Sequence, residues 1–262
     1  MLASFQAGAD PAAAGEEGAS AGGGDDLAKK LQNPVADLIS VPIQFNYDEG
    51  FGPRDAGRWT LNVQPVIPIR LNDDWNLISR TIVPLIHQES IAAGVSSDTG
   101  LGDIAQSLFF SPREPINGWI IGFGPVALLP TATEEALGSE QFGLGPTAVI
   151  LRQQHGWTYG ALANHIWGLT DGDEHADVNA TFLQPFVSYT FPTSTSVTLN
   201  SEMTYDWTAE EWTIPVNLMV SQLVVFGGQP VQFSLGGRGY ADSPPGGPEW
   251  GVRLVVTLLF PK

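Results

Sequence analysis

The sequence predicts an all-β protein, an antiparallel transmembrane β-barrel of about 12 strands with a short N-terminal helical or plug segment. Three observations carry this. Val252, Leu254, Val256, Leu258 and Phe260 alternate with Arg253, Val255, Thr257 and Leu259, and Trp250 stands at the far end. Period two with one wholly apolar face and an aromatic near each end describes a strand with lipid on one side. The same alternation recurs along the chain, and the links between segments are alternately short and long, as in bacterial outer-membrane barrels.

Composition narrows the function classes. Charged residues make up 15%, against 30 Gly, 20 Pro and 10% aromatics, a balance that favours strands and turns. A net charge of −17 with only 11 Lys plus Arg excludes nucleic acid as a partner, because phosphates need a basic surface. There is no cysteine, so neither disulfides nor thiolate zinc sites can form. No run approaches the roughly 18 apolar residues of a membrane helix. A membrane reading therefore requires a closed barrel, since open sheet edges leave backbone groups unpaired in lipid. Met1–Phe5 lacks the basic and apolar regions of a signal peptide, so a mature or truncated chain is expected.

Residues 1–26 are mostly Ala, Gly, Asp and Glu and are expected to form a disordered arm. Residues 27–37 are expected to be a helix or plug, with Leu27, Leu31, Val35 and Leu38 at helical spacing, Asp25 or Asp26 as the cap, and Pro34 ending the helix near Gln32. Residues 38–262 are then the barrel. The strand segments are 38–47, 58–71, 75–86, 101–110, 118–129, 141–152, 157–168, 178–191, 195–206, 212–226, 230–240 and 250–260. Short turns fall at 72–74, 153–156, 192–194 and 227–229, with a longer link at 111–117 on the same side. Acidic loops fall at 48–57, 87–100, 130–140, 169–177, 207–211 and 241–249. Both termini then lie at the short-turn end, which is the periplasm in such barrels.

Energy decides which way side chains face. Arg or Lys on the lipid face near the midplane costs about 2–4 kcal/mol, so a mid-strand charge points inward. This puts Val197, Leu199, Ser201, Met203 and Tyr205 outside, with Thr198, Asn200, Glu202 and Thr204 inside. It puts Trp59, Leu61, Val63, Ile67 and Ile69 outside, with Asn62, Gln64 and Arg70 inside. Arg80, Asn217, Ser221, Gln232, Ser234, Arg238, Arg253 and Thr257 also point in, whereas the fourth and seventh segments stay ambiguous. The candidate lumen or selectivity residues are Arg80, Glu202, Arg238, Arg253, Asn200 and Asn217, with Asp103 a further acid facing the arginines. Such groups either sort solutes by charge or fill the lumen as salt bridges. Leu31, Asn33 and Pro34 mark the candidate plug. Prolines 65, 68, 84, 125, 146, 185 and 215 lie inside segments and call for bulges or broken strands.

Other motifs carry less. Asp171, Asp173, Glu174 and Asp177 form an acidic loop that could bind calcium, although the spacing differs from the helix-loop-helix calcium loop. Like-charge blocks are more often simply solvated. No other cofactor is expected. Of His87, His155, His165 and His175, only His165, beside Asn164, lies within a wall segment. None is followed two residues later by a serine, which disfavours a Ser-His-Asn lipase site. Gly122-Phe123-Gly124 and Gly143-Leu144-Gly145 sit in strand-like segments and open no helix, so they are poor phosphate loops. Tryptophans 59, 75, 119, 157, 167, 207, 212 and 250 lie near segment ends, where interfacial anchoring explains them.

Leu31-Gln32-Asn33-Pro34-Val35-Ala36-Asp37-Leu38-Ile39-Ser40-Val41-Pro42 leads into Trp59-Thr60-Leu61-Asn62-Val63-Gln64-Pro65-Val66-Ile67-Pro68. Trp75–Pro84, Gly100–Ile104 and the terminal Leu259-Phe260-Pro261-Lys262 follow in order. Together these runs resemble the MetA-pathway of phenol degradation family of outer-membrane proteins over about residues 27–262. The resemblance implies a Gram-negative outer-membrane transporter with poorly defined substrates. It also implies a distant similarity to fatty-acid and aromatic-hydrocarbon channels, whose N-terminal hatch carries Asn-Pro-Ala; Asn33-Pro34-Val35 departs at the third position. The expected function is an outer-membrane channel for small hydrophobic or aromatic solutes, not an enzyme. Outer-membrane lipid and lipopolysaccharide are the expected neighbours. The alternatives are a sealed structural or adhesive barrel acting through its acidic loops, and a soluble β-rich binding domain.

Overall fold

The structure, a computed structural model, describes residues 21–170 and 177–260. It opens with α1 (Ala21–Leu31). The strands follow as β1 (Ile39–Phe51), β2 (Ala56–Val63 and Val66–Arg70), β3 (Trp75–Gln88), β4 (Asp98–Leu101 and Ile104–Pro112), β5 (Trp119–Leu129) and β6 (Gly143–Gln154). The second half is β7 (Trp157–Gly168), β8 (Asn179–Thr190), β9 (Thr195–Ser201 and Met203–Asp206), β10 (Glu211–Phe226), β11 (Gln229–Asp242) and β12 (Trp250–Phe260). Each strand pairs antiparallel with its chain neighbours. β12 also pairs with β1, from Ile39↔Phe260 to Glu49↔Trp250, which closes a 12-stranded barrel. Closure leaves no free sheet edge.

Each expected segment became one strand, with corrections at the ends. β1 runs on to Phe51, because the alternation of Ile43, Phe45 and Tyr47 with Gln44, Asn46 and Asp48 continues past the predicted stop. The loop expected at 48–57 shrinks to a 3₁₀ turn at Gly52–Arg54. α1 starts upstream of Asp26, which lies inside the helix, 3.6 Å from Lys29, rather than capping it. Its glycine-rich first turn has poor intrinsic propensity. Packing of Leu27, Ala28 and Leu31 against Leu38, Leu223 and Leu259 holds the helix instead.

The prolines act in three ways, and the expected bulge accounts for only part of them. At Pro215 the β10–β11 register slips between Ile214 and Pro215, a true bulge. At Pro65 the second strand breaks without losing register, since Ile43↔Val63 and Ser40↔Val66 belong to one ladder. In the middle of the wall, Pro125 stands directly opposite Pro146. Neither has an N–H, and the adjoining ladders lapse at Gly124-Pro125 beside β4 and at Gly145-Pro146 beside β7. A Cβ on Gly145 would overlap the His165 carbonyl oxygen, and one on Gly124 the Leu108 carbonyl. Glycine lets the backbones close up there.

The outer face is apolar. Leu218, Val220, Leu235, Val252 and Leu254 are exposed, while their neighbours Asn217, Ser221, Ser234, Arg253 and Val255 are buried. Trp59, Trp167, Trp207, Trp212 and Trp250 ring the long-loop end, and Trp75, Trp119 and Trp157 the short-turn end. The ambiguous strands resolve as well. Phe109 points in and Phe110 out; Leu162 points in while Trp167 faces out. Inside, Val35 joins Ile78, Phe109, Val149, Leu151 and Leu162 in a packed apolar cluster that fills the β3–β7 side. The polar side chains are left the opposite half.

Candidate functional site: the lumen

The candidate site is a polar track along the half of the lumen formed by β1–β3 and β9–β12. Its centre is Glu202, where β9 is interrupted. The register puts Pro215 of β10 beside Glu202, and the Glu202 N–H reaches the Pro215 carbonyl at 3.3 Å. Missing proline N–H groups thus loosen the ladder where the carboxylate enters the lumen.

Arg253 of β12 grips Glu202 with two parallel bonds, Nη1 to Oε1 at 2.8 Å and Nη2 to Oε2 at 2.7 Å. Arg238 of β11 donates to Glu202 Oε2 at 3.0 Å and to both oxygens of Asp48 at 3.1 and 3.2 Å. Tyr240 donates its hydroxyl to Asp48 at 2.9 Å. Two carboxylates and two guanidinia therefore cancel in a buried cluster that links β9, β11, β12 and β1. The fork geometry of Arg with carboxylate makes such bonds short and directional.

The track continues through amides. Arg253 Nε donates to Asn46 Oδ1 at 2.7 Å, and Gln44 Nε2 donates to the same oxygen at 3.4 Å. Gln64 Nε2 donates to Gln44 at 3.3 Å, and Arg80 donates to Gln64 Oε1 at 3.0 Å. Asn217 donates to Asn200 at 2.7 Å.

Three cavities lie in succession along this track. A cavity of about 450 Å³ at the long-loop end is bordered by Asp48, Arg58, Arg238 and Tyr240. A middle cavity of about 350 Å³ shares Glu202 and Arg253 with it, so the ion cluster is the partition between them. A third, of about 190 Å³, lies at the short-turn end against Leu31, Asn33, Pro34 and Ala36. α1 is held there by Gln153 donating to the Lys29 carbonyl at 2.7 Å and Thr198 donating to Gln32 at 3.2 Å. Asn33 Oδ1 accepts the Val35 N–H at 3.0 Å, which turns the chain from helix to strand.

The structure brings Arg80, Glu202, Arg238, Arg253 and Asn200 to the lumen, and Leu31, Asn33 and Pro34 to its lower cavity. Asn217 is inward but fully buried beside Asn200 and borders none of these three cavities. Three expected placements are corrected. Arg70 is exposed at the β2–β3 turn beside Asp73. Asp103 faces no lumen arginine; its carboxylate takes the N–H groups of Thr131, Ala132 and Ser139 and fixes the 130–142 loop. Ser201 is buried, not lipid-facing, because its hydroxyl caps the Pro215 carbonyl at 2.7 Å. Sequence reading missed Asp48, Asn46, Gln44 and Tyr240. The parity of Gln44, Asn46 and Asp48 in a longer first strand was the available signal.

His165 lies in the wall and points outward. Its Nδ1 is 2.7 Å from Thr181 Oγ1, and among the described residues its Nε2 has no partner. Asp171, Asp173 and Glu174, and His175 with them, lie outside the described residues. Asp177 is exposed, and among the described residues no group of three or more His, Cys, Asp or Glu side chains is placed to hold a metal.

No family model and no curated protein matches the sequence. Solved structures do. The chain is similar to the COG4313 outer membrane channel from Pseudomonas putida F1, with a TM-score of 0.67 and 14% identity over 86% of this chain and 96% of that one. Outer membrane phospholipase A from Escherichia coli matches at a TM-score of 0.49 and 12% identity, over 90% of this chain and 97% of that one. At these identities the likeness to the channel establishes a shared fold, the closed outer-membrane-type barrel.

Proposed function

We propose that this protein is a bacterial outer-membrane channel for small solutes whose lumen is stopped at one end by α1 and partitioned in the middle by the Asp48–Arg238–Glu202–Arg253 cluster. The observation that carries this is the succession of three cavities along one polar track. A purely structural barrel has no need of such space on both sides of its ion cluster. The apolar outer face, edged by tryptophans at both ends, supports the membrane setting over a soluble binding domain. We read the chain as non-enzymatic, because among the described residues no third group orients the ring of the outward His165–Thr181 pair, and Trp207 donates to the same Thr181 oxygen at 2.8 Å.

A hydrophobic or aromatic solute, the class the family resemblance implies, has a second way in. The ladders lapse where Pro125 faces Pro146, and the inner side of that seam is the apolar cluster around Phe109 and Val149. Entry through the wall would spare such a solute the ion cluster.

The test is planar-bilayer conductance of the full-length protein and of a variant lacking residues 1–36. Conductance that appears or rises on deletion supports a plugged channel. A folded, inserted barrel silent in both forms rules out the axial channel. The seam would then be tested by uptake of toluene into lipid vesicles, and the sealed structural barrel remains if uptake also fails.

A further inference from the structure

Among the described residues Arg80 is a lumen cation with no ion-pair partner in contact. It points into the barrel interior and borders both the middle and the lower cavity. Among the described residues its guanidinium makes a single hydrogen bond, to Gln64, and has no carboxylate within salt-bridge distance. Glu202 acts on it only at longer range, because Arg253 and Arg238 take its oxygens. A guanidinium carries five N–H donors, so most of those on Arg80 are left to the cavities. The second observation is independent. Gln232, 5% exposed and on β11, borders the same two cavities, and its amide Nε2 is a buried donor with no partner among the described residues. An uncompensated charge and an unpaired donor inside a protein are each costly, and one anion removes both costs.

The lining of the middle cavity is mixed: Ile82, Phe182 and Met219 border it among polar side chains such as Asn62, Asn200 and Ser221. The space therefore offers donors at its lower end and some apolar surface as well.

We propose that Arg80 and Gln232 form a solute-binding site for small monocarboxylates with an apolar body, such as aromatic acids. The carboxylate is held on the guanidinium fork and the Gln232 amide, and the body lies against Ile82, Phe182 and Met219. Planar bidentate pairing favours a carboxylate over a spherical anion. This deepens the channel reading and rests on it for its transport meaning, but binding itself can be measured without transport.

The experiment is calorimetric titration of the full-length, detergent-solubilised barrel with sodium benzoate, with benzyl alcohol and sodium chloride as comparisons. Arg80→Gln and Gln232→Leu are the variants, and heat-modifiable gel mobility confirms that each is folded. Benzoate should bind in the wild type and lose about tenfold or more in affinity in R80Q, the scale expected for a lost charge-assisted pair. Q232L should show a smaller loss. Benzyl alcohol should bind much more weakly. The proposal is overturned if benzoate does not bind at millimolar concentration, if R80Q binds it as well as the wild type, or if chloride displaces it at equal concentration. A failed titration beside a positive conductance result would reject the site and keep the channel. Binding without conductance in either form would do the reverse.

Discussion

Glu202 and Arg253 join across the lumen from β9 and β12, strands that are not neighbours in the sheet, by two hydrogen bonds of 2.8 and 2.7 Å. The pair spans two intervening strands at the point where β9 is broken. It also lies at the boundary between the upper and middle cavities.

Breaking that pair should be worse than removing it. Glu202→Gln leaves Arg253 and Arg238 with a buried excess of charge, and loss of one partner of a buried pair costs about 3–5 kcal/mol. The double variant Glu202→Gln with Arg253→Met should recover a good part of this. Urea unfolding of the refolded barrel in vesicles measures both. A double variant as unstable as E202Q would show that the pair's worth is not electrostatic.

The plug can be loosened without cutting the chain. Ala28 is fully buried where α1 meets Leu38, Leu223 and Leu259. Ala28→Glu brings a charge into that apolar contact and should release the helix while leaving the wall intact. Single-channel conductance is expected to rise to the level of the residue 1–36 deletion. Unchanged conductance would mean that α1 does not limit the path.

The outer face should behave as a lipid face. Leu235 lies near the middle of β11 and is among the most exposed apolar side chains. Leu235→Arg should cost about 2–4 kcal/mol for a barrel in a bilayer, since the arginine must sit near the midplane. On a water-facing sheet the same change would be nearly free. Comparing unfolding of the variant in vesicles with that of the wild type decides between the two settings.

The glycines at the proline seam hold it shut. Gly145→Ala places a methyl group against the His165 carbonyl and must push β6 from β7. Overpacking of this kind costs about 1–3 kcal/mol. A lower temperature for the heat-induced mobility shift is expected, with faster toluene uptake if the seam is a route. A variant as heat-stable as the wild type would show that the strands are not in close contact there.

The number of strands, their order, and the alternation of short and long links were legible in the sequence. So was the inward side of β9–β12, because period two is a local property and a mid-membrane charge has only one affordable direction. The alternation that put Glu202, Arg238 and Arg253 inside needed no knowledge of their neighbours. What each inward group meets depends on tilt, stagger and closure, which act between strands distant in the chain. For that reason the sequence sets Asp103 against the arginines and leaves Asp48 in a loop. Both are acids near the long-loop end of inward-facing runs, and only the pairing of β1 with β12 brings Asp48, and not Asp103, within reach of Arg238. Likewise Arg80 reads as one more lumen arginine from its strand alone. That no carboxylate among the described residues pairs with it in contact is decided by the two other arginines that reach Glu202 first. The sequence by itself determined a barrel and its inner face; the tertiary structure decided which charges cancel and which is left over, because cancellation is a property of distance across the lumen rather than of order along the chain.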